Sequence, residues 1–182
     1  MISTRPARSR WATAKASLSS GPVISAAQRR RILTYLSAAL DDGATLVAGG
    51  LDRPLGLARG HYVRPTVLTG VSPLAPIAQE EVFGPVLVVL PYEDLDEAIA
   101  LANGTQYGLA GSVWGPDDSE AFAVAQRLRA GRVDINGAAW NPCAPFGGYK
   151  QSGNGRELGR WGLEEFLEIK AVQMPVRADR PQ

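Results

Sequence analysis

Three short β-prone runs, VLVVLPY (86–92), LAGSVW (109–114) and RVDIN (132–136), are separated by two helix-length segments. Asp94 can cap the first of these helices, with Leu95, Ala98, Ile99 and Ala102 on one face and Asn103-Gly104 at its end. The second runs from about Asp118 to Ala130 with Phe122, Ala125 and Leu128 on one stripe, and Gly131 ends it. Strand, helix, strand, helix, strand alternation restricts the chain to an α/β fold with a mainly parallel sheet flanked by helices. The continuous apolar run at 86–92 predicts a strand covered on both faces.

Upstream, Ser25 predicts a helix start, with Ile32, Leu33, Leu36, Ala39 and Leu40 on one face and Gly43 as the stop. TLVAGG (45–50) and HYVRPTVL (61–68) read as strands around the loop LDRPLGLARG. Downstream, LEEFLEIKAVQMPV passes from a short helix into a β-prone segment. The expected organisation is a leader-like or disordered segment at 1–20, an α/β domain at 21–167, and a C-terminal β-tail at 168–182.

At 182 residues the chain can bury roughly 70% of its unfolded surface in one domain. One cysteine, Cys143, and one histidine, His61, make no disulfide and no zinc-ligand set, and point to a reducing, cytoplasmic setting without a metal. No apolar run reaches the ~18 residues of a membrane span. The net charge is +1, but residues 1–20 hold Arg5, Arg8, Arg10 and Lys15 and no acid. The remainder carries 15 basic against 18 acidic residues, so charge gives no case for a nucleic-acid partner. The Arg- and Ser-rich segment 1–20 reads either as a transit-like leader or as a disordered stretch.

Few residues offer chemistry. Gly153-Asn154-Gly155-Arg156-Glu157-Leu158-Gly159 has the look of a dinucleotide fingerprint, but GGYKQS before it is no buried strand. Gly147-Gly148 is better explained as close backbone passage. Cys143, in NPCAP, lacks a strand-to-helix glycine turn to activate it, so small filler is its default reading. Glu80-Glu81 precede Val82-Phe83-Gly84-Pro85. Glu81 can be a helix cap, a solvated charge, or a carboxylate accepting from the two hydroxyls of a ribose, and residue physics does not separate these.

GPVISAAQ (21–28), VRPTVL (63–68), EEVFGPVL (80–87), DEAIALAN (96–103), YGLAGSVW (107–114), AGRVDIN (130–136) and PFGGYKQSGNGRELG (145–159) occur in this order. The ordered set resembles the C-terminal part of the aldehyde dehydrogenase superfamily over about residues 21–175. The resemblance implies a partial aldehyde dehydrogenase fold and NAD- or NADP-dependent oxidation of an aldehyde to an acid through a cysteine thioester. It implies that Glu81 holds the nicotinamide-ribose hydroxyls, that Phe83 packs beside that ribose, and that Phe146 lines the aldehyde pocket. Glu157 matches a position suggested to support proton movement. By the same resemblance, the glycine-rich stretch 144–162 is an active-site wall followed by a chain reversal.

The family's G-Q-x-C nucleophile motif and its G-x-[ST]-x-x-G cofactor turn do not occur in these residues. Glu157-Leu158-Gly159 and Trp140-Asn141-Pro142 imitate the general-base and oxyanion motifs but lie downstream of AGRVDIN, in the wrong order. Cys143 is therefore not assigned as nucleophile, and no catalytic residue is named beyond the accessory Glu157. The expected partners are an aldehyde, a separately supplied N-terminal half, or further copies of the chain through the β-tail. The competing expectation is a non-catalytic remnant serving as an interaction module.

Overall fold

A computed structural model of the chain describes residues 2–3 and 21–175. Strand β1 (Ile2–Ser3) comes first, then helix α1 (Ala26–Asp41), β2 (Thr45–Ala48), β3 (Thr66–Thr69), α2 (Pro76–Gln79) and β4 (Val86–Val88). Helix α3 (Leu95–Asn103), β5 (Tyr107–Gly108), β6 (Ala110–Trp114), α4 (Asp118–Arg127), β7 (Arg132–Ile135), β8 (Tyr149–Lys150) and α5 (Gly159–Glu164) follow. The expected leader-like reading of 1–20 and the tail beyond 175 otherwise lie outside the described residues.

The caps explain where the helices begin. Ser25 Oγ accepts from the Gln28 amide at 3.1 Å, and the Asp94 carboxylate accepts from the Glu97 amide at 2.8 Å. Asp117 does the same for Ser119 and Glu120, at 2.8 and 3.0 Å.

Two three-stranded sheets divide the fold. In one, β2 pairs antiparallel with β3, and β3 pairs parallel with β4. In the other, β6 lies between β1 and β7, parallel to both. A two-stranded antiparallel ribbon joins β5 to β8. Most pairings are parallel, as the alternation predicts, but they fall in two sheets. Helix α1 buries Ile32, Leu36 and Ala39 with Val63, Leu68, Val71, Ile77 and Val82. A second core joins Ala98 and Ile99 of α3, Val113 of β6, and Ala121 and Val124 of α4.

Three expectations need correction. The run 86–92 is not a strand covered on both faces: β4 spans only Val86–Val88, and Leu87 is 58% exposed while Val86 and Val88 pack on the α1 core. Only one side of this edge strand meets a described helix. On α4 the buried stripe runs through Ala121 and Val124, and Phe122, one helical step of about 100° away, is 57% exposed. His61 lies ahead of its strand, because β3 starts only after Pro65, which has no amide to donate. Residues 168–175, expected to pair as a β-tail with another chain, form no ladder with any described strand of their own.

The Tyr92 hydroxyl is buried against the second core and has no hydrogen-bond partner among the described residues. Burial first, and then the Glu120 carboxylate, raise its pKa above the ordinary tyrosine value of 10.0. The fold thus favours the neutral phenol, and the associated stability is present below about pH 10 and is lost as pH rises through the raised value. Tyr92→Phe keeps the ring and deletes the unpaired hydroxyl. It should leave urea stability at neutral pH unchanged or higher by up to about 1 kcal/mol, and should flatten the alkaline loss relative to the parent chain. A marked loss of stability at neutral pH would show instead that the hydroxyl is satisfied.

Candidate functional site

Glu81, Val82 and Phe83 bridge α2 and β4 in non-helical backbone, with Phe83 at φ 51°, a left-handed conformation uncommon for an aromatic residue. Helix α1 grips this segment. Gln28 Nε2 donates to the Val82 and Phe83 carbonyls at 2.9 and 3.1 Å, and Arg31 Nη2 donates to the Glu81 carbonyl at 3.2 Å. The two neighbouring acids have separate environments. The Glu80 carboxylate accepts from the Tyr35 hydroxyl, whereas no hydrogen bond or ion pair engages the exposed Glu81 carboxylate among the described residues.

Glu80, Glu81 and Phe83 line one concavity of about 350 Å³ with Ile77, Val86 and Leu90. Glu81 also borders a second, of about 320 Å³, whose walls include Asn103, Tyr107, Gly111 and Ser152. A carboxylate with free lone pairs beside a half-apolar hollow and an exposed ring at Phe83 suits a sugar diol attached to a flat heterocycle.

The glycine-rich stretch folds back on itself. Phe146 and Glu157 exchange both backbone hydrogen bonds, Phe146 N to Glu157 O at 2.8 Å and Glu157 N to Phe146 O at 2.6 Å. Between them the chain passes through β8, which pairs with β5, and through a turn at 151–153. Arg156 closes the turn from within: Nη1 donates to the carbonyls of Gly148, Asn154 and Gly155 at 2.8 to 3.0 Å, and the guanidinium sits 5.4 Å from the Tyr149 ring centre. Phe146 ends a stack in which the Arg132 guanidinium lies 4.2 Å from the Trp140 ring centre and Trp140 meets Phe146 edge-on at 5.7 Å.

The structure thus joins Glu81 to Phe83 and Phe146 to Glu157, but neither Phe146 nor Glu157 lines the two concavities that Glu81 borders among the described residues. The glycine cluster opens the six-residue α5 at Gly159, but it follows the short β5–β8 ribbon and the Phe146–Glu157 bridge rather than a buried strand. Trp140 is a packing residue, and Cys143 is exposed, its amide donating to Asn141 Oδ1 at 2.9 Å. No group of His, Cys, Asp and Glu among the described residues could hold a metal.

Sequence reasoning missed the residues that hold the pieces in place. Lys150 Nζ donates to the Asn103 and Thr105 carbonyls at 2.8 and 2.9 Å, tying the hairpin to the end of α3. Asn103 in turn donates to the Arg127 carbonyl and accepts from the Arg129 amide, linking α3 to the exit of α4. The dipeptide Asn103-Gly104 signalled a helix end and nothing of this bridging role.

A profile of the aldehyde dehydrogenase family matches residues 10–172, reaching further toward the N-terminus than the motifs alone. The chain belongs to the aldehyde dehydrogenase family. A Staphylococcus saprophyticus relative with a provisional aldehyde dehydrogenase name is 50% identical over 152 residues, 84% of this chain and 32% of its own length. A Cys-to-Ala variant of Pseudomonas syringae aldehyde dehydrogenase C, solved with NAD+ and octanal, superposes with TM-score 0.81 at 51% identity. It aligns with 84% of this chain and 31% of its own. A Mycobacterium tuberculosis aldehyde dehydrogenase complexed with NAD+ gives 0.81 at 48%, over 85% of this chain and 32% of its own. The chain therefore spans about a third of the length of these relatives. As an aldehyde dehydrogenase segment it is α/β, like the structures it matches.

The backbone crossing beneath the hairpin is testable. A Cβ at Gly131 would collide with the Gly147 carbonyl oxygen, whereas one at Gly155 meets nothing within 4 Å. Gly131→Ala should cost about 2 kcal/mol or more in thermal or urea unfolding, with Gly155→Ala within about 0.5 kcal/mol of the parent. Equal effects would mean that the close crossing does not constrain the fold.

Proposed function

We propose that this chain contributes the nicotinamide-ribose subsite and part of the aldehyde-pocket wall to an NAD(P)-dependent oxidation of an aldehyde to a carboxylic acid. The observation that carries the reading is the Glu81 carboxylate, without a partner among the described residues and beside a hollow shared with Phe83. Glu81 would accept from both ribose hydroxyls, Phe83 would pack against the ribose, and a bound nicotinamide supplies a hydride acceptor. Phe146 would line the aldehyde side of the wall, and Glu157, paired with it through the backbone, would support proton movement there. Two solved relatives carrying NAD+ support the cofactor class. The reading places the protein in the cytoplasm, and no helix among the described residues is long and apolar enough to cross a membrane.

On this reading the 182 residues do not turn over by themselves, because the G-Q-x-C nucleophile and the cofactor turn are not among them. Removing a nucleophile and its base together leaves only the residual effect of binding. Incubating the purified chain with NAD or NADP and a panel of aliphatic and aromatic aldehydes should give no growth of reduced-nicotinamide absorbance. Turnover abolished by Cys143→Ala would make Cys143 the nucleophile. Turnover that survives that substitution would place the reactive centre elsewhere in the chain.

Association is a second part of the proposal. Phe166, Ile169, Val172 and Met174 are 87, 92, 78 and 71% exposed, in a segment with open backbone groups. Such a segment offers a strand edge and an apolar surface to another chain, which supports self-association or pairing with an N-terminal portion supplied separately. Light scattering should show the 182-residue chain larger than a monomer, and a version ending at Glu168 smaller. A chain that stays monomeric at high concentration rules the tail out as an interface.

A further inference from the structure

Gln28, Arg31, Ile32 and Tyr35 lie at i, i+3, i+4 and i+7 of α1 and share one face. That face runs along the segment from Glu80 to Gly84. Gly84 lies flush on Ile32, where a Cβ would come within 2.6 Å of Ile32 Cδ1, so backbone and helix touch without an intervening side chain. On either side of this contact the polar members reach the same segment: Gln28 takes the Val82 and Phe83 carbonyls, Arg31 takes the Glu81 carbonyl, and Tyr35 takes the Glu80 carboxylate. Arg31 also donates to the Tyr35 hydroxyl at 3.3 Å and lies 5.3 Å from its ring centre. Every bond from the helix goes to a carbonyl or to Glu80, and none to the Glu81 carboxylate.

We propose that Tyr35 and Gln28 are positioning residues that clamp residues 80–83 at its two ends, so that of two adjacent acids Glu80 is retained by the helix and Glu81 is presented to the ligand. Successive residues in extended backbone point to opposite sides, so an acid held by Tyr35 turns its neighbour away from the helix. At the other end, Phe83 occupies φ 51°, a conformation that costs a non-glycine residue free energy and persists where surrounding bonds over-determine it. The paired bonds from Gln28, to the carbonyls of Val82 and of Phe83 itself, supply that determination. Losing either clamp lets the segment relax, and Glu80 and Glu81 then become equivalent surface acids. The consequence for the ligand rests on Glu81 as the carboxylate that accepts the ribose diol; the clamp itself does not.

The test uses the full chain and two readouts. Tyr35→Phe and Gln28→Ala should each lower the backbone NMR order parameters of residues 81–83 from rigid values of about 0.85 to below about 0.6 while leaving the α3–α4 core unchanged. Glu80→Gln, whose amide oxygen still accepts from Tyr35, should behave as the parent, and Glu80→Ala should behave as Tyr35→Phe, the double variant adding nothing further. Order parameters at 81–83 that are unchanged in Tyr35→Phe, or lowered equally in Glu80→Gln and Glu80→Ala, overturn the clamp. Nicotinamide mononucleotide is the ligand probe, read by amide chemical shifts of Glu81 and Phe83. The parent should respond, Tyr35→Phe should respond several-fold more weakly, and Glu81→Gln should not respond. A response in Tyr35→Phe equal to the parent's overturns positioning of Glu81. An absent response in the parent removes the ribose assignment, and the order parameters then decide the clamp alone.

Discussion

Backbone lies directly on backbone where Gly131 enters β7 and Gly147 enters the hairpin, with no space for a side chain between them. That crossing sets the distance between the parallel sheet and the candidate wall, and the surrounding contacts follow from it. Arg132, one residue along, can reach across to cover Trp140, and Trp140 can meet Phe146. On the far side, β8 comes close enough to β5 to pair, and Lys150 close enough to close on the end of α3. The glycines thus shape the wall by bringing it near, and charged and aromatic groups on other elements hold it there.

The segment from Glu80 to Gly84 is built on the opposite logic. It has almost no regular structure of its own, so its form is imposed by one face of α1. A rigid, well-capped helix whose adjoining stripe, starting from the shared Ile32, supplies Leu36 and Ala39 to a core is a stable ruler for that purpose. The same element therefore stabilises the domain and sets the geometry of the acid pair, and damage to its packing would be felt in both.

The helices were legible because their signals are local. Ser25 and Asp94 announce their helices by side-chain chemistry that acts within three residues, and the observed starts agree. What covers a surface is not local. The apolar run around Leu87 carries no mark of whether a second layer lies above it, and the stripe through Phe122 and Ala125 differs from the buried one by a single residue's rotation. At the site, the resemblance picked out Glu81 and Phe83, whereas residue physics alone left Glu81 undecided. Gln28 is 54 positions from Val82, and Lys150 is 47 from Asn103, so neither pairing leaves a trace in any short window of sequence.

Asn103 also bears on how the chain ages. In an Asn-Gly pair the backbone nitrogen of the glycine can attack the side-chain amide carbon and expel ammonia, forming a cyclic imide that water opens to an acid. Here both reactants are engaged: the Asn103 amide is held between the Arg127 carbonyl and the Arg129 amide, and the Gly104 nitrogen is committed to the Leu101 carbonyl at 3.1 Å. The packed ends of α3 and α4 thus act as a chemical preservative. Where they part, deamidation would replace a donor with a carboxylate facing the Arg127 carbonyl, and the separation would become permanent.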